Sequence, residues 1–214
     1  MSKVLYYLYD PLCGWCYGAT PAISELAGIS NLRINLLPVG LFSGDRATIV
    51  DDAFAATIWS MDQRIERMTG QRFSDDYRRR VLGNRQQLLD SGPATLALTA
   101  VSLTAPAREL EALKAIQRAR YVNGSDVTSR ATLAALLAAL GLEEAAAMIA
   151  QPEEDLLDAN LARVERAQVL MREFGVHGVP TLVAESGANR WLLNHAAGYS
   201  NPRALIDQLE GARA

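Results

Sequence analysis

The feature that most constrains this chain is "YDPLCGWCYG", residues 9–18, in which both of its cysteines stand three positions apart between two segments of different character. Before it, "KVLYYLY" over residues 3–9 is β-prone and mostly apolar, and Asp10-Pro11 interrupts it. After it, "YGATPAISELAG" reads as a helix ending near Gly28, and "NLRINLLPVG" returns to strand character. Strand, cysteine pair, helix, strand is the opening of a βαβ unit, with the thiols at the strand-to-helix turn.

What two thiols so placed are for can be weighed. A chain of 214 residues hides roughly 70 to 75% of its unfolded surface and needs no covalent staple. A disulfide closing a four-residue loop removes only about 2 kcal/mol of unfolded-state entropy, against about 4.7 for a hundred-residue loop. A zinc site needs four ligands, and the remaining candidates of the preferred type, His177 and His195, lie far off in sequence without finger or ribbon spacing. No metal site is expected.

A catalytic pair, by contrast, has a physical warrant at each position. Unpaired backbone N–H groups and the positive end of the helix dipole favour the thiolate at a helix's first turn, which makes Cys13 the expected nucleophile. Cys16, within about one turn and inside the helix, is the expected resolving thiol. Neither Gly14 nor Trp15 between them supplies a cation or a donor comparable to histidine, so the couple is expected to be less oxidising than one with a histidine there. The cysteines themselves carry the electrons, with no metal or flavin.

Composition bears on partners and compartment. The 21 basic residues face 24 acidic ones for a net charge of −3, and Arg78-Arg79-Arg80 follows Asp75-Asp76 as on a solvated helix face, so nucleic acid is not an expected partner. The longest apolar run, "ATLAALLAALGL", is too short for the roughly 18 residues of a membrane span. The first residues lack a secretory pattern, and the expected compartment is the cytosol, where a lone cysteine pair is catalytic, redox-sensing or metal-binding rather than structural.

Between residues 43 and 150 no convincing strand is legible. Phe54, Ile58, Met61, Ile65 and Met68 fall at alternating spacings of four and three, the apolar stripe of one helix, and core rather than peptide groove is the preferred reading of Met61 and Met68. Further helices are predicted over 75–90, 93–104, 107–122 and 129–140. After Pro152 a long helix with Leu157, Leu161, Val164, Met171 and Phe174 on one side ends at Gly175, followed by strands in "VHGVPTLVAE" and "WLLNHAAG" and a last helix after Pro202. The predicted class is α/β, with one discontinuous domain over 1–42 and 151–214 and an all-helical insertion over 43–150.

The cysteine pair after a strand, the large helical insertion and the late "GVPT" together resemble the DsbA-like branch of the thioredoxin fold. Asp10, Cys13, Trp15, Cys16 and Tyr17 match the C-x-W-C-Y pattern, preceded by Asp, of its cytosolic FrnE-like members, which often have proline where this chain has Gly14. The resemblance implies a thioredoxin fold and a thiol-disulfide oxidoreductase, of protein disulfide isomerase type, acting on protein or peptide thiols and disulfides. It further implies glutathione or a thioredoxin system as the agent that resets the couple, and a cis bond before Pro180 that presents the Val179 backbone to substrate.

Around this centre, Trp15 is expected as a partly exposed, substrate-contacting lip or as a residue packed on the insertion. Asp10 is either a buried proton acceptor for the resolving thiol or a turn-former before Pro11. Tyr17 and His177 complete the candidate surroundings, His177 reading first as an ordinary loop residue, and His195 as a satisfied strand residue. Two rivals share the architecture: the kappa-class glutathione transferases and 2-hydroxychromene-2-carboxylate isomerases, against which Cys16 counts, and a non-enzymatic peptide-binding chaperone or redox sensor.

Overall fold

The computed structural model describes residues 3–211. β1 (Lys3–Tyr9) leads through the cysteine turn into α1 (Gly14–Ala27), and the chain returns as β2 (Leu32–Pro38), parallel to β1 with Tyr9 opposite Pro38. There follow β3 (Thr48–Ile49), α2 (Asp52–Thr69), α3 (Asp75–Tyr77) continuing as a π turn over Arg78–Leu82, and β4 (Leu88–Leu89). Then come α4 (Gly92–Thr104), α5 (Glu109–Tyr121), α6 (Arg130–Ala139), α7 (Glu143–Ala150) and α8 (Glu154–Glu173). β5 (Thr181–Ser186), β6 (Asn189–Leu193) and α9 (Arg203–Gly211) close the described chain.

The main sheet has the order β2-β1-β5-β6, with β5 antiparallel to both neighbours. Because β1 is central, it is buried on both faces, as its nearly continuous apolar sequence requires. Leu5, Tyr7 and Tyr9 face the cluster that holds α1, whereas Tyr6 and Leu8 meet Ala167 and Leu170 of α8 on the opposite face. This is a thioredoxin-like α/β fold, and segment 43–150 carries α2 to α7. One apolar cluster runs through both parts, from Leu5 and Ile23 to Leu98, Leu113 and Leu137. No helix among the described residues is long and apolar enough to cross a membrane.

Three local expectations change. The helix predicted over 75–90 stops at Leu82, where Gly83-Asn84 breaks it, and Leu88–Leu89 pairs with Thr48–Ile49, so a two-residue ladder sits within the otherwise helical segment. Of the stripe expected to bury α2, Ile65 is buried and Ile58 partly so, but Phe54, Met61 and Met68 are exposed, Met61 by 46%, and Ala55 and Asp62 are buried instead. Along α8, Leu157 and Leu161 are likewise exposed, and Leu156, Ala167 and Leu170 make the buried contacts. The reason for the α2 rotation lies at α1. Gly14 and Gly18 leave room there for Asp62 and Ile65, so close approach of the two helices outweighs the burial of a few larger side chains.

Candidate active site

The turn that carries the thiols is built by Asp10. Its carboxylate accepts the backbone N–H of Leu12 at 2.9 Å and of Leu41 at 2.7 Å, and the hydroxyl of Ser91 at 2.7 Å, while its carbonyl accepts the N–H of Cys13 at 3.1 Å. The side chain is fully buried, and burial raises its pKa against the pull of these donors. Asp10 thus sits in a turn, with both carboxylate oxygens occupied.

Cys13 is the N-cap of α1 in an extended conformation, and its carbonyl accepts the first helical bond from Tyr17 N–H at 3.0 Å. Its thiol therefore stands at the helix's positive end among N–H groups that lack intrahelical partners. Cys13 retains 7% exposure and Cys16 none, and both are free thiols. Burial, then the hydrogen bond and charge of Cys13 beside it, push the Cys16 thiol well above its ordinary value. Beneath the pair, Tyr7 donates to the Cys16 carbonyl at 3.1 Å, and burial raises its phenol far above the usual range.

The Val179–Pro180 peptide is cis, and the Val179 carbonyl oxygen lies 3.7 Å from Cys13 Sγ. Val179 is half-buried and Pro180 buried. Trp15 is half-buried too, its ring 5.1 Å from that of Tyr199 and 5.9 Å from the Arg64 guanidinium. Tyr17 is buried, stacks on Tyr121 at 4.7 Å and donates to the Arg72 carbonyl at 3.2 Å. His177 is exposed in the loop before Val179.

His195 is corrected from strand to a 3-10 turn after β6, edge-on to Tyr199 at 5.9 Å, and partial burial lowers its pKa. Sequence reasoning missed Tyr199, which donates to the Trp15 carbonyl at 3.4 Å, and Tyr121, which donates to the Leu12 carbonyl at 2.6 Å. Neither carried a local signal, since each reaches the cysteine turn only through the fold. Among the described residues no group of three or more His, Cys, Asp or Glu is placed to hold a metal ion.

A family model of the DSBA-like thioredoxin domain matches residues 4–209. The chain belongs to this DsbA-like family. Among solved structures, cytosolic disulfide reductase DsbM from Pseudomonas aeruginosa is 30% identical with a TM-score of 0.87, each chain covered to 98%. Its structure with GSH matches with a TM-score of 0.81. A protein from Nitrosomonas europaea, provisionally assigned as a protein disulfide isomerase, is 27% identical over the whole of both chains with a TM-score of 0.81. Comparison with curated protein sequences gave no match. As a DsbA-like protein with these neighbours, the chain is an oxidoreductase of the thiol-disulfide type.

Proposed function

We propose that this DsbA-like protein is a dithiol reductase of disulfides, with Cys13 as nucleophile and Cys16 as resolving thiol. The observation that carries the reading is the asymmetry of the pair: Cys13 at the helix N-cap keeps an accessible edge beside the Val179 carbonyl, while Cys16 is fully buried with its thiol pushed up. The Cys13 thiolate attacks a substrate disulfide, forming a mixed disulfide and releasing one substrate sulfur as thiolate. Cys16 then attacks Cys13 Sγ; the Cys13–Cys16 disulfide forms, the second substrate sulfur leaves with the Cys16 proton, and two electrons have passed to the substrate.

Protein or peptide disulfides are the proposed substrates, held by strand-like hydrogen bonding to the Val179 backbone at Pro180 and by the face of Trp15. Glutathione is the proposed reductant: two molecules return the two electrons and leave as their disulfide. That DsbM has been solved with GSH supports this choice, and its description as cytosolic supports the cytosol as compartment.

The test is a trapping experiment joined to a potential. Cys16→Ser should accumulate mixed disulfides at Cys13 with glutathione disulfide and with a peptide disulfide, and the wild-type pair should equilibrate with glutathione buffers as one two-electron couple. If neither an adduct nor a Cys13–Cys16 disulfide forms, the reading is wrong.

A further inference from the structure

One buried ionisable group beside the thiols has no part in the dithiol cycle. Asp62 of α2 is 3% exposed, and a side chain at Gly14 would place its Cβ 2.6 Å from Asp62 Oδ1. Given a C–C bond of about 1.5 Å, the carboxylate oxygen rests within about 4 Å of the Gly14 Cα, one residue after the nucleophile. Its other oxygen accepts the Tyr77 hydroxyl at 2.9 Å. Arg120, itself buried, lies over the rings of Tyr77 at 5.5 Å and Tyr121 at 5.7 Å, and no salt bridge joins it to Asp62 among the described residues. Tyr121 in turn holds the Leu12 carbonyl just before Cys13.

The first turn of α1 therefore has two anions on offer, the Cys13 thiolate and the Asp62 carboxylate, at one positive helix end. The disulfide form is neutral, so only the reduced form feels the repulsion between them. We propose that Asp62, contributed by the insertion, sets the redox poise of the couple: as a carboxylate packed on the first turn of α1, it opposes the Cys13 thiolate and makes the pair more reducing. It is a positioning residue acting on Cys13 through its charge. Gly14 is its signature in the sequence, because any side chain there, proline included, displaces the carboxylate. The proposal rests on the dithiol reading above.

The charge can be switched. Burial raises the Asp62 carboxyl to about 7, with Tyr77 and Arg120 pulling it back. The groups that meet it are Gly14 from α1, the residue after Cys13, Tyr77 from α3 and Arg120 from α5. Burial holds the Tyr77 phenol far above its ordinary value, so it does not ionise in the working range.

Wild type and Asp62→Asn would be equilibrated in glutathione buffers at about pH 5.5 and about pH 8.5, quenched, alkylated and read by mass. At the higher pH the equilibrium constant of the variant should move roughly tenfold towards the dithiol, about 30 mV less negative; at the lower pH the two should coincide within about twofold. Identical potentials at both pH values, or an equal offset at both, overturn the proposal. Should Asp62→Asn fail to fold, Tyr77→Phe removes one hydrogen bond from the carboxylate and keeps it protonated to higher pH. Its potential should then exceed that of wild type near pH 7 and meet it in the alkaline range, and a constant offset or none overturns the proposal. Absence of any wild-type disulfide overturns the dithiol reading and this proposal together, whereas a normal couple without the pH-dependent gap overturns this proposal alone.

Discussion

The Ser91 hydroxyl donates to the Asp10 carboxylate at 2.7 Å, joining the start of α4 to the turn that carries the thiols across 81 positions of sequence. The contact is buried at both ends, and Ser91 N–H donates to the Phe42 carbonyl at 3.2 Å. The turn is thus fixed from the insertion as well as from its own strand. Ser91→Ala removes a charge-assisted bond and is expected to cost about 1.5 to 3 kcal/mol, read by denaturant unfolding. Because Ser91 lowers the Asp10 pKa, the loss should shrink as the pH falls and the carboxyl protonates. A loss that does not change with pH would show that the bond does not bear on ionised Asp10.

The unequal exposure of the two thiols predicts unequal chemistry. In native reduced protein, iodoacetamide should modify Cys13 at least about tenfold faster than Cys16, since the buried thiol is held protonated and out of reach. In denaturant the two rates should converge. Peptide mapping after timed quenching gives both numbers, and comparable native rates would remove the basis for assigning their roles.

Much of this arrangement was legible beforehand, and the limits have physical causes. The strand-cysteine-helix order and the Pro180 loop are local patterns, and β1, α1 and β5 carry them. The stripe on α2 misled because periodicity reports which residues are apolar and not which face meets a neighbour; two glycines on α1 decided that Ile65 and Asp62 go inward. Helix α7 escaped because its buried residues are mostly alanines, whose small side chains give weak contrast. Tyr199, Tyr121 and Ser91 reach the site over long sequence separations, which one sequence without long-range information does not encode visibly.

Buried carboxyls should make stability fall as pH rises. Burial lifts Asp62 to about 7 and Glu109 to about 6, above their ordinary values of 3.8 and 4.5. Between the unfolded and folded values the folded chain holds more protons, so each group destabilises progressively from about pH 4 upward, and the loss is complete above its folded value. For Asp62 the full effect is on the order of 4 kcal/mol, and Asp62→Asn should remove it, leaving the variant more stable than wild type near pH 8 and similar near pH 4. Urea unfolding at several pH values checks this, and a wild-type curve that rises from pH 5 to 8 would contradict it.

Glu109 offers a contrast, because its partner stays behind. Arg163 pairs with it and also donates to the Leu36 carbonyl at 2.8 Å and the Thr99 hydroxyl at 3.0 Å, tying α8 to β2, α4 and α5. Glu109→Ala leaves a mostly buried guanidinium without its counter-charge and is expected to cost about 3 to 5 kcal/mol. Glu109→Gln keeps an acceptor in place and should cost clearly less. Equal losses in thermal or chemical unfolding would mean that packing, not the charge, holds this junction.

The close approach of α1 and α2 can be tested from its second glycine. A Cβ at Gly18 would lie 2.7 Å from Ile65 Cγ2 and 3.3 Å from Thr69 Cγ2, so Gly18→Ala must push α2 away or force Ile65 off its rotamer. In an open helix the same change would stabilise by about 1 kcal/mol. Here the clash should reverse the sign, for a net loss of about 1 to 2 kcal/mol. Ile65→Ala alone removes the Cγ2 methyl that the new Cβ would meet and should cost about 2 to 5 kcal/mol. If the two contacts are what separates these helices, the double variant should be more stable than the sum of the single losses implies, by about 1 kcal/mol in a double-mutant cycle. Additive losses would place the strain elsewhere and remove the packing argument for glycine on this face of α1.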